Sequence, residues 1–402
     1  MSMSDTPRSE RVHIAFFGNR NAGKSSLINA VTGQPLAIVS SSRGTTTDPV
    51  YKSIEILPLG PCVLVDTAGL DDIGELGELR IEKSLEVLDK CDIALVVIDA
   101  ETGATPDDAV LVKRIKDKKR PFLIILNKID LISGPEKLAQ SLAEKFDVLT
   151  IPVSAVSGAG ILELKNALPG LLPEKPAEKY ILDGVVSAGD VAILVCPIDS
   201  AAPKGRLILP QQQVIRELCD LHCGALVCQV GELAGMLKKL SAPPRIVITD
   251  SQVFKEVNEI VPDDIPLTSF SILFARYKGN LAQFLDGIKA LKSLKDGDAV
   301  LIAEGCTHHR QKDDIGTVKI PRWLKNYTGK ELKLEYASGV GFSSSLNKYK
   351  LIIHCGGCML TRQAMLARLE SASASGVPVI NYGILIACVQ GILERVTAPF
   401  TK

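Results

Sequence analysis

Short, mostly apolar runs alternate with amphipathic stretches along the first 170 or so residues of the chain. The apolar runs predict buried strands at residues 12–17, 62–65, 93–98, 122–126 and 149–153. Between them, residues 25–31, 78–88 and 109–116 have the spacing of helices. Strands that alternate with helices in this way predict an α/β fold, with a mostly parallel sheet covered on both faces.

A linker rich in proline and charge, residues 172–179, separates this region from the rest of the chain. Strands and helices alternate again after it, and a proline-containing segment at 262–266 marks a second break. Residues 383–395, near the end, are predicted to form one helix. The predicted domains are therefore an N-terminal domain at residues 1–172 and two smaller α/β domains at residues 180–262 and 267–402.

Composition narrows the classes of function that the chain can have. Its 402 residues carry 46 basic and 46 acidic side chains, so no basic excess points to a nucleic-acid partner. The first residues are polar, and no apolar run is long enough to span a membrane, so we expect a cytoplasmic protein without a membrane partner. In that compartment, ten cysteines are more typical of buried thiols or metal ligands than of disulfides.

A glycine-rich segment follows the first predicted strand and fits the pattern G-x-x-x-x-G-K-[ST]. With one further serine it comprises Gly18, Asn19, Arg20, Asn21, Ala22, Gly23, Lys24, Ser25 and Ser26. Backbone amides in such a loop, together with the start of the next helix, bind phosphates. We expect Lys24 to reach the β- and γ-phosphates and Ser25 to hold Mg²⁺. The N-terminal domain is therefore predicted to be a P-loop domain.

Further motifs follow in order, most of them at a strand end. In Asp-Thr-Ala-Gly, Asp66 suits an approach to Mg²⁺ and Gly69 a contact with the γ-phosphate, while Thr46 lies where a switch threonine that binds Mg²⁺ belongs. In Asn-Lys-Ile-Asp, Asp130 can accept two hydrogen bonds from guanine, which selects GTP. The other predicted nucleotide-binding residues here are Asn127, Lys128, Ser154 and Ala155. The predicted catalytic residues are Lys24, Thr46, Asp66 and Gly69.

Over residues 10–170 this ordered set of motifs resembles the bacterial GTPases that include MnmE and Era. The resemblance implies Mg²⁺-dependent hydrolysis of GTP. It also implies a K⁺ site at Asn21, because potassium-dependent members of this branch carry a metal-binding asparagine in the loop. Leu70 stands where Ras-like enzymes place a water-orienting glutamine, so we expect slow hydrolysis.

A second set of chemically active residues lies in the C-terminal region. Cys306 and His308 follow one predicted strand, and His354, Cys355 and Cys358 follow another. If the two strands are neighbours, these ligands converge at one sheet edge. A [4Fe–4S] cluster with one open iron, structural zinc and a redox dithiol all fit such residues. On the residues alone, iron–sulfur and zinc are nearly even.

The combination of this GTPase domain with C-x-H and H-C-x-x-C resembles the HydF family, the maturation GTPases of [FeFe]-hydrogenase. The resemblance implies that Cys306, Cys355 and Cys358 ligate a [4Fe–4S] cluster, with His308 or His354 as the candidate fourth ligand. It also implies a middle dimerisation domain, and therefore a homodimer or a higher homo-oligomer. The family carries a precursor of the diiron subcluster of the H-cluster, with HydE, HydG and the apo-hydrogenase HydA as partners.

Two other classes of function compete with this interpretation. An RNA-modification or ribosome-assembly GTPase with structural zinc would share the N-terminal domain, but the neutral charge speaks against it. A redox enzyme that uses Cys355 and Cys358 as a dithiol would leave Cys306, His308 and His354 unexplained.

Overall fold

The fold is given by a computed structural model, which describes residues 10–33, 50–57, 59–69, 86–172, 180–198, 207–305, 314–338, 342 and 345–400. The chain divides into two compact units, Met1–Ala177 and Glu178–Lys402.

The first unit is built on a six-stranded sheet. Its strands are β1 (Val12–Phe17), β2 (Val50–Ile56), β3 (Gly60–Asp66), β4 (Ile93–Asp99), β5 (Phe122–Asn127) and β6 (Thr150–Pro152). They lie in the order β2-β3-β1-β4-β5-β6, and every neighbouring pair is parallel except β2 with β3. This sheet is the mostly parallel one that the apolar runs predict.

Both faces of the sheet are covered, as continuous apolar strands require. The helices described in this unit are α1 (Lys24–Thr32), α2 (Pro106–Asp117), α3 (Pro135–Phe146) and α4 (Ile161–Leu171). Along β1, Ile14 and Phe16 enter one apolar cluster, and Ala15 and Phe17 enter the other. Burial on both faces explains why this strand has no alternating polar positions.

The second unit contains two four-stranded sheets, both entirely parallel. The first has the order β10-β9-β7-β8, from β7 (Val191–Val195), β8 (Gly224–Cys228), β9 (Ile246–Thr249) and β10 (Leu267–Ser269). The helices that accompany it are α5 (Leu209–Asp220), α6 (Val230–Lys239), α7 (Phe254–Ile260) and α8 (Phe270–Lys278). The α/β class predicted for the chain is thus confirmed beyond the N-terminal region.

The second sheet of this unit has the order β12-β11-β13-β14. Its strands are β11 (Ala299–Ala303), β12 (Lys333–Ala337), β13 (Leu351–His354) and β14 (Val379–Asn381). The helices that follow α8 are α9 (Leu281–Ser293), α10 (Ile320–Thr328), α11 (Arg362–Ala374), α12 (Tyr382–Val389) and α13 (Leu393–Thr397). Shorter helical turns lie at Ile129–Leu131, Ser251–Val253, Ile315–Lys319 and Ala398–Phe400.

The single helix predicted over residues 383–395 is wrong. The structure has two helices there, α12 and α13, with Gly391 between them. Gly391 has φ 76°, a left-handed conformation that ends a helix and that glycine adopts without steric strain.

Among the described residues, no helix combines the length and the apolar character needed to cross a membrane.

Candidate functional site

The glycine-rich loop connects β1 to α1, and its backbone tolerates no side chain at two positions. Gly18 has φ 138°, and a Cβ there would lie 2.2 Å from the carbonyl oxygen of Val97. Gly23 has φ 89°, and a Cβ would lie 2.3 Å from Nδ2 of Asn127. Asn21 also has a positive φ, of 63°. The loop is therefore curled tightly against the ends of β4 and β5, and its turn alone gives a reason for asparagine at position 21.

Lys24, the first residue of α1, lies inside this curl. Its side chain is buried, and Nζ donates hydrogen bonds of 2.8 Å to the carbonyl oxygens of both Gly18 and Asn19. The ammonium group is thus fixed at the loop, beside the backbone amides that would bind phosphates.

Ser25, in the first turn of α1, and Asp66, the last residue of β3, come together beside the loop. The Ser25 hydroxyl donates a 2.6 Å hydrogen bond to Oδ2 of Asp66. Burial raises the pKa of Asp66, while the Ser25 hydrogen bond and the Lys24 charge act in the opposite direction. A hydroxyl paired with a carboxylate beside a phosphate loop is the oxygen environment that Mg²⁺ prefers.

Asn127 connects three of the predicted motifs. Its Nδ2 donates a 2.9 Å hydrogen bond to the carbonyl oxygen of Ala22, and its Oδ1 accepts a 3.2 Å hydrogen bond from the amide of Ala155. Asn127 is buried, whereas Asp130 is exposed. The asparagine therefore holds the loops together, and the aspartate faces solvent, where a guanine base can be reached.

A side-chain network beside the loop involves residues that sequence reasoning missed. Nδ2 of Asn19 donates a 2.8 Å hydrogen bond to Oγ1 of Thr105. Thr105 caps α2 through the amide of Asp108, and the Asp108 carboxylate accepts from the Thr105 amide. The Thr-Pro-Asp-Asp sequence at 105–108 is a capping signal that could have indicated the helix start, although not its contact with Asn19.

The remaining predicted residues have the following positions. Arg20 is exposed, Ser26 and Gly69 are half-buried, and Ser154 is fully buried with its hydroxyl accepting from the amide of Ser157. Nζ of Lys128 forms a 2.6 Å ion pair with Asp99, a residue that the motifs did not predict. Thr46 and Leu70 lie outside the described residues.

The C-terminal cysteines follow the carboxyl ends of two neighbouring strands. β11 pairs with β13 in parallel, with Ala303 opposite His354, and the Cys355 amide donates a 2.9 Å hydrogen bond to the Ala303 carbonyl. The two strand ends that precede the predicted ligand sets therefore meet at one sheet edge. Cys306 and His308 lie outside the described residues, and among the described ones no group of three or more histidine, cysteine or acidic side chains could hold a metal ion.

The loop that contains Cys355 and Cys358 nonetheless suits a thiolate ligand. Sγ of Cys355 accepts two backbone hydrogen bonds, from Gly305 at 3.1 Å and from Gly357 at 3.4 Å. Burial raises the pKa of Cys355 to about 11, and these two N–H donors oppose the shift. Gly357 has φ 64°, so glycine suits the turn that aims its amide at the sulfur. Amide donors aimed at a cysteine sulfur are typical of the surroundings of iron–sulfur clusters.

Lys278, the last residue of α8, holds the backbone at the second cysteine through hydrogen bonds. Its side chain is 1% exposed, and Nζ donates to the carbonyl oxygens of Cys358 at 3.0 Å and Leu360 at 2.8 Å. Burial raises the pKa of Cys358, and the Lys278 charge lowers it. A buried cation therefore lies beside this thiol.

His354 is buried, and both of its ring nitrogens are engaged. Nη1 of Arg368 lies 2.7 Å from Nε2, and because a guanidinium can only donate, Nε2 is the acceptor. Nδ1 then carries the proton and donates to the Cys355 carbonyl at 2.8 Å. Burial, followed by the Arg368 charge, lowers the pKa of His354 to about 3, so the ring is neutral.

Three protein-family models match the chain. The 50S ribosome-binding GTPase model matches residues 13–128, the hydrogen maturase F dimerization domain matches residues 181–279, and the hydrogen maturase F tetramerization domain matches residues 282–399. The latter two together span more than half of the chain.

Two relatives each match less than half of this chain. The tRNA modification GTPase MnmE of Nitrosomonas europaea is 36% identical over 160 residues, which cover 40% of this chain and 34% of that protein. GTPase Era of Carboxydothermus hydrogenoformans is 32% identical over 180 residues, covering 43% of this chain and 59% of Era. This chain thus spans about a third to three fifths of the length of these relatives.

A solved structure of Aquifex aeolicus Era bound to GDP and AlF4⁻ is 21% identical, with a TM-score of 0.38, and the match covers 57% of this chain and 98% of that one.

The GTPase model ends at Lys128, and both models of the remaining chain are specific to hydrogen maturase F. The chain belongs to the hydrogen maturase F (HydF) family.

Proposed function

We propose that the chain is a GTPase and an iron–sulfur scaffold, which assembles the diiron subcluster of the [FeFe]-hydrogenase H-cluster and delivers it to the apo-hydrogenase. The observation that carries the proposal is the pair of backbone amides that donate hydrogen bonds to Sγ of Cys355, in the second unit. The first unit of the same chain contains a connected set of GTP-binding motifs. Membership of the HydF family supports a protein in which the GTP-binding motifs and the cysteine loop act together.

In the GTPase reaction, the protein's own contribution is to position the phosphates and to compensate their charge. Lys24 would contact the β- and γ-phosphates, and Gly69 would sense the γ-phosphate through its amide. Ser25 and Thr46 would hold Mg²⁺, with Asp66 in support, and Asn21 would hold K⁺. When bound, these cations supply positive charge where negative charge develops during hydrolysis.

At the second site, Cys306, Cys355 and Cys358 would ligate a [4Fe–4S] cluster, and a cluster of this kind supplies an iron that can exchange its fourth ligand. Of the two histidine candidates we favour His308, because both nitrogens of His354 already form hydrogen bonds. EPR hyperfine spectroscopy of the reduced protein, with ¹⁵N-labelled histidine, tests this choice. Loss of a nitrogen coupling in His308→Ala supports it, and loss in His354→Ala alone overturns it.

The assembly and the partners follow from the family. The dimerization and tetramerization models support a homo-oligomer, either a homodimer or a larger assembly. They match residues 181–279 and 282–399, so they divide this region after residue 279 and not at the predicted break of 262–266. HydE and HydG would supply the parts of the diiron precursor, and HydA would receive it. Assembly and delivery of the precursor would take place in the cytoplasm, without a nucleic-acid or membrane partner.

Replacement of Lys24 tests the link between GTP and maturation. Lys24→Ala should abolish GTP hydrolysis, and hydrogenase maturation in the presence of HydE, HydG and HydA should fall with it. The control is Lys113→Ala, which removes an exposed lysine of α2 in the same unit. Full maturation by Lys24→Ala would show that GTP turnover is not required for cluster delivery.

The competing RNA-linked function makes a different prediction. MnmE is a tRNA modification GTPase by name, yet the match to it covers 40% of this chain. Tight, salt-sensitive binding of tRNA by this protein, with no iron-dependent EPR signal, would favour that function over the scaffold.

A further inference from the structure

A buried carboxamide lies at the same sheet edge as the cysteine loop. Asn381 is the last residue of β14, and it lies opposite His354, the last residue of β13. Cys355 follows directly in the chain. Asn381 is also the residue that caps α12, and its side chain is 0% exposed.

The orientation of this carboxamide is fixed by its neighbours. The backbone amide of Gly383 lies 2.8 Å from one terminal atom of Asn381, and an amide N–H can only donate, so that atom is Oδ1. The hydroxyl of Ser271 donates to the same oxygen at 3.1 Å. Nδ2 is therefore the opposite atom, and it has no hydrogen-bond partner among the described residues. A buried amide group without a partner lowers stability unless something else accepts its protons.

The contacts of the carboxamide lead to the cysteine loop. Ser271 lies against Gly356, where a Cβ would be 3.4 Å from its hydroxyl oxygen. Gly383 packs against the same serine, since a Cβ at Gly383 would lie 2.9 Å from the Ser271 side chain. Tyr382, the residue after Asn381, donates a 3.4 Å hydrogen bond to the carboxylate of Glu304, which precedes Gly305 in the chain. The first turn of α8 thus lies against the segment between the two cysteines, and the first turn of α12 packs on that of α8.

We propose that Nδ2 of Asn381 donates a hydrogen bond to a sulfur atom of the iron–sulfur cluster that this loop holds. The inference rests on the proposed cluster, and it assigns to Asn381 the role of a positioning and potential-setting residue. The cluster gains negative charge on reduction, so a hydrogen bond to its sulfur stabilises the reduced form and raises the reduction potential.

Asn381→Ser in the full chain tests the proposal. Serine is a good helix cap and carries no charge, so it should preserve α12 while its side chain is too short to reach the cluster. The matched control is Asn280→Ser, which makes the same change at the exposed cap of α9. Each protein is reconstituted anaerobically with iron and sulfide, and its potential is measured by EPR-monitored titration.

We expect a more negative potential in Asn381→Ser than in the wild type, and an unchanged one in Asn280→Ser. Deuterium couplings to the reduced cluster after exchange into D₂O, and ¹⁵N couplings from labelled asparagine, should weaken only in the first variant. If Asn381→Ser does not fold, Asn381→Asp provides the test through the deuterium and ¹⁵N couplings alone, because it retains shape and cap and loses the N–H donors but adds a charge that also shifts the potential.

Two kinds of failure are distinguishable. Unchanged potential and unchanged couplings in an Asn381 variant that holds a full cluster would overturn the role of Asn381 alone. Absence of any cluster from the wild-type protein would instead overturn the proposed function on which the inference rests.

Discussion

Replacement of Asn127 by alanine should loosen the nucleotide site before any nucleotide is added. The asparagine side chain is buried and forms two hydrogen bonds, one to the Ala22 carbonyl and one from the Ala155 amide. Each is worth about 1 kcal/mol, and leaving buried partners unsatisfied costs roughly 1–3 kcal/mol more. We therefore expect a loss of about 2–4 kcal/mol of local stability in the loops that the side chain connects.

Hydrogen exchange followed by mass spectrometry measures this loss in the intact chain. Peptides from α1, β5 and residues 150–160 should exchange on the order of 30-fold faster or more in Asn127→Ala, since 1.4 kcal/mol corresponds to a factor of ten. The matched control is Asp130→Ala, three residues further along. Asp130 is exposed, so its removal should leave exchange unchanged while it weakens GTP binding at least about 100-fold through lost contacts to guanine.

The two variants thus separate a connecting residue from a base-binding residue within one motif. Wild-type exchange rates in both Asn127→Ala and Asp130→Ala would show that the hydrogen bonds of Asn127 do not hold these loops together.

Three further predictions concern other sites. Gly23→Ala should abolish binding of a fluorescent GDP analogue, because the new Cβ would lie 2.3 Å from Asn127 Nδ2; wild-type affinity would contradict the loop geometry. Burial raises the pKa of Asp92 from 3.8 to about 6, so the folded chain keeps a proton that the unfolded chain releases, and stability falls as the pH rises from about 4 to 6. Relative to the wild type, the free energy of unfolding of Asp92→Asn in urea should therefore rise by up to roughly 2–3 kcal/mol across that pH window. A difference between the two proteins that does not change with pH would contradict this. Lys278→Met should reduce the iron bound per chain after reconstitution, because the Cys358 carbonyl loses its donor; normal iron content would contradict this.

The sequence predicted the central strands well because they are buried on both faces. Residues 12–17 and 93–98 are continuous apolar runs, and the corresponding strands β1 and β4 lie in the middle of the sheet. β2 was missed because it lies at the edge and alternates half-buried with exposed positions, with lysine, serine and glutamate among its residues. Pairing with β3, which is a tertiary contact, makes this segment a strand.

The same limit applies to the candidate sites. Motif spacing identified Lys24, Asn127 and Cys355, because their chemistry is tied to local sequence. It could not identify Lys278, which donates to the cysteine loop from α8, or Asn381, which bonds to Ser271 beside that loop, because neither belongs to a motif. The sequence shows Lys278 only as a lysine at the end of an apolar segment, because its burial and its partners depend on how the chain folds.

The proposed function requires one chain to combine a GTPase with an open iron–sulfur site. EPR of the reduced protein tests this after anaerobic reconstitution with iron and sulfide, beside the triple variant Cys306→Ala, Cys355→Ala, Cys358→Ala. We expect a [4Fe–4S]⁺ signal that cyanide or imidazole perturbs and that the triple variant lacks. An EPR-silent protein that binds one zinc ion tightly through the same cysteines would contradict it.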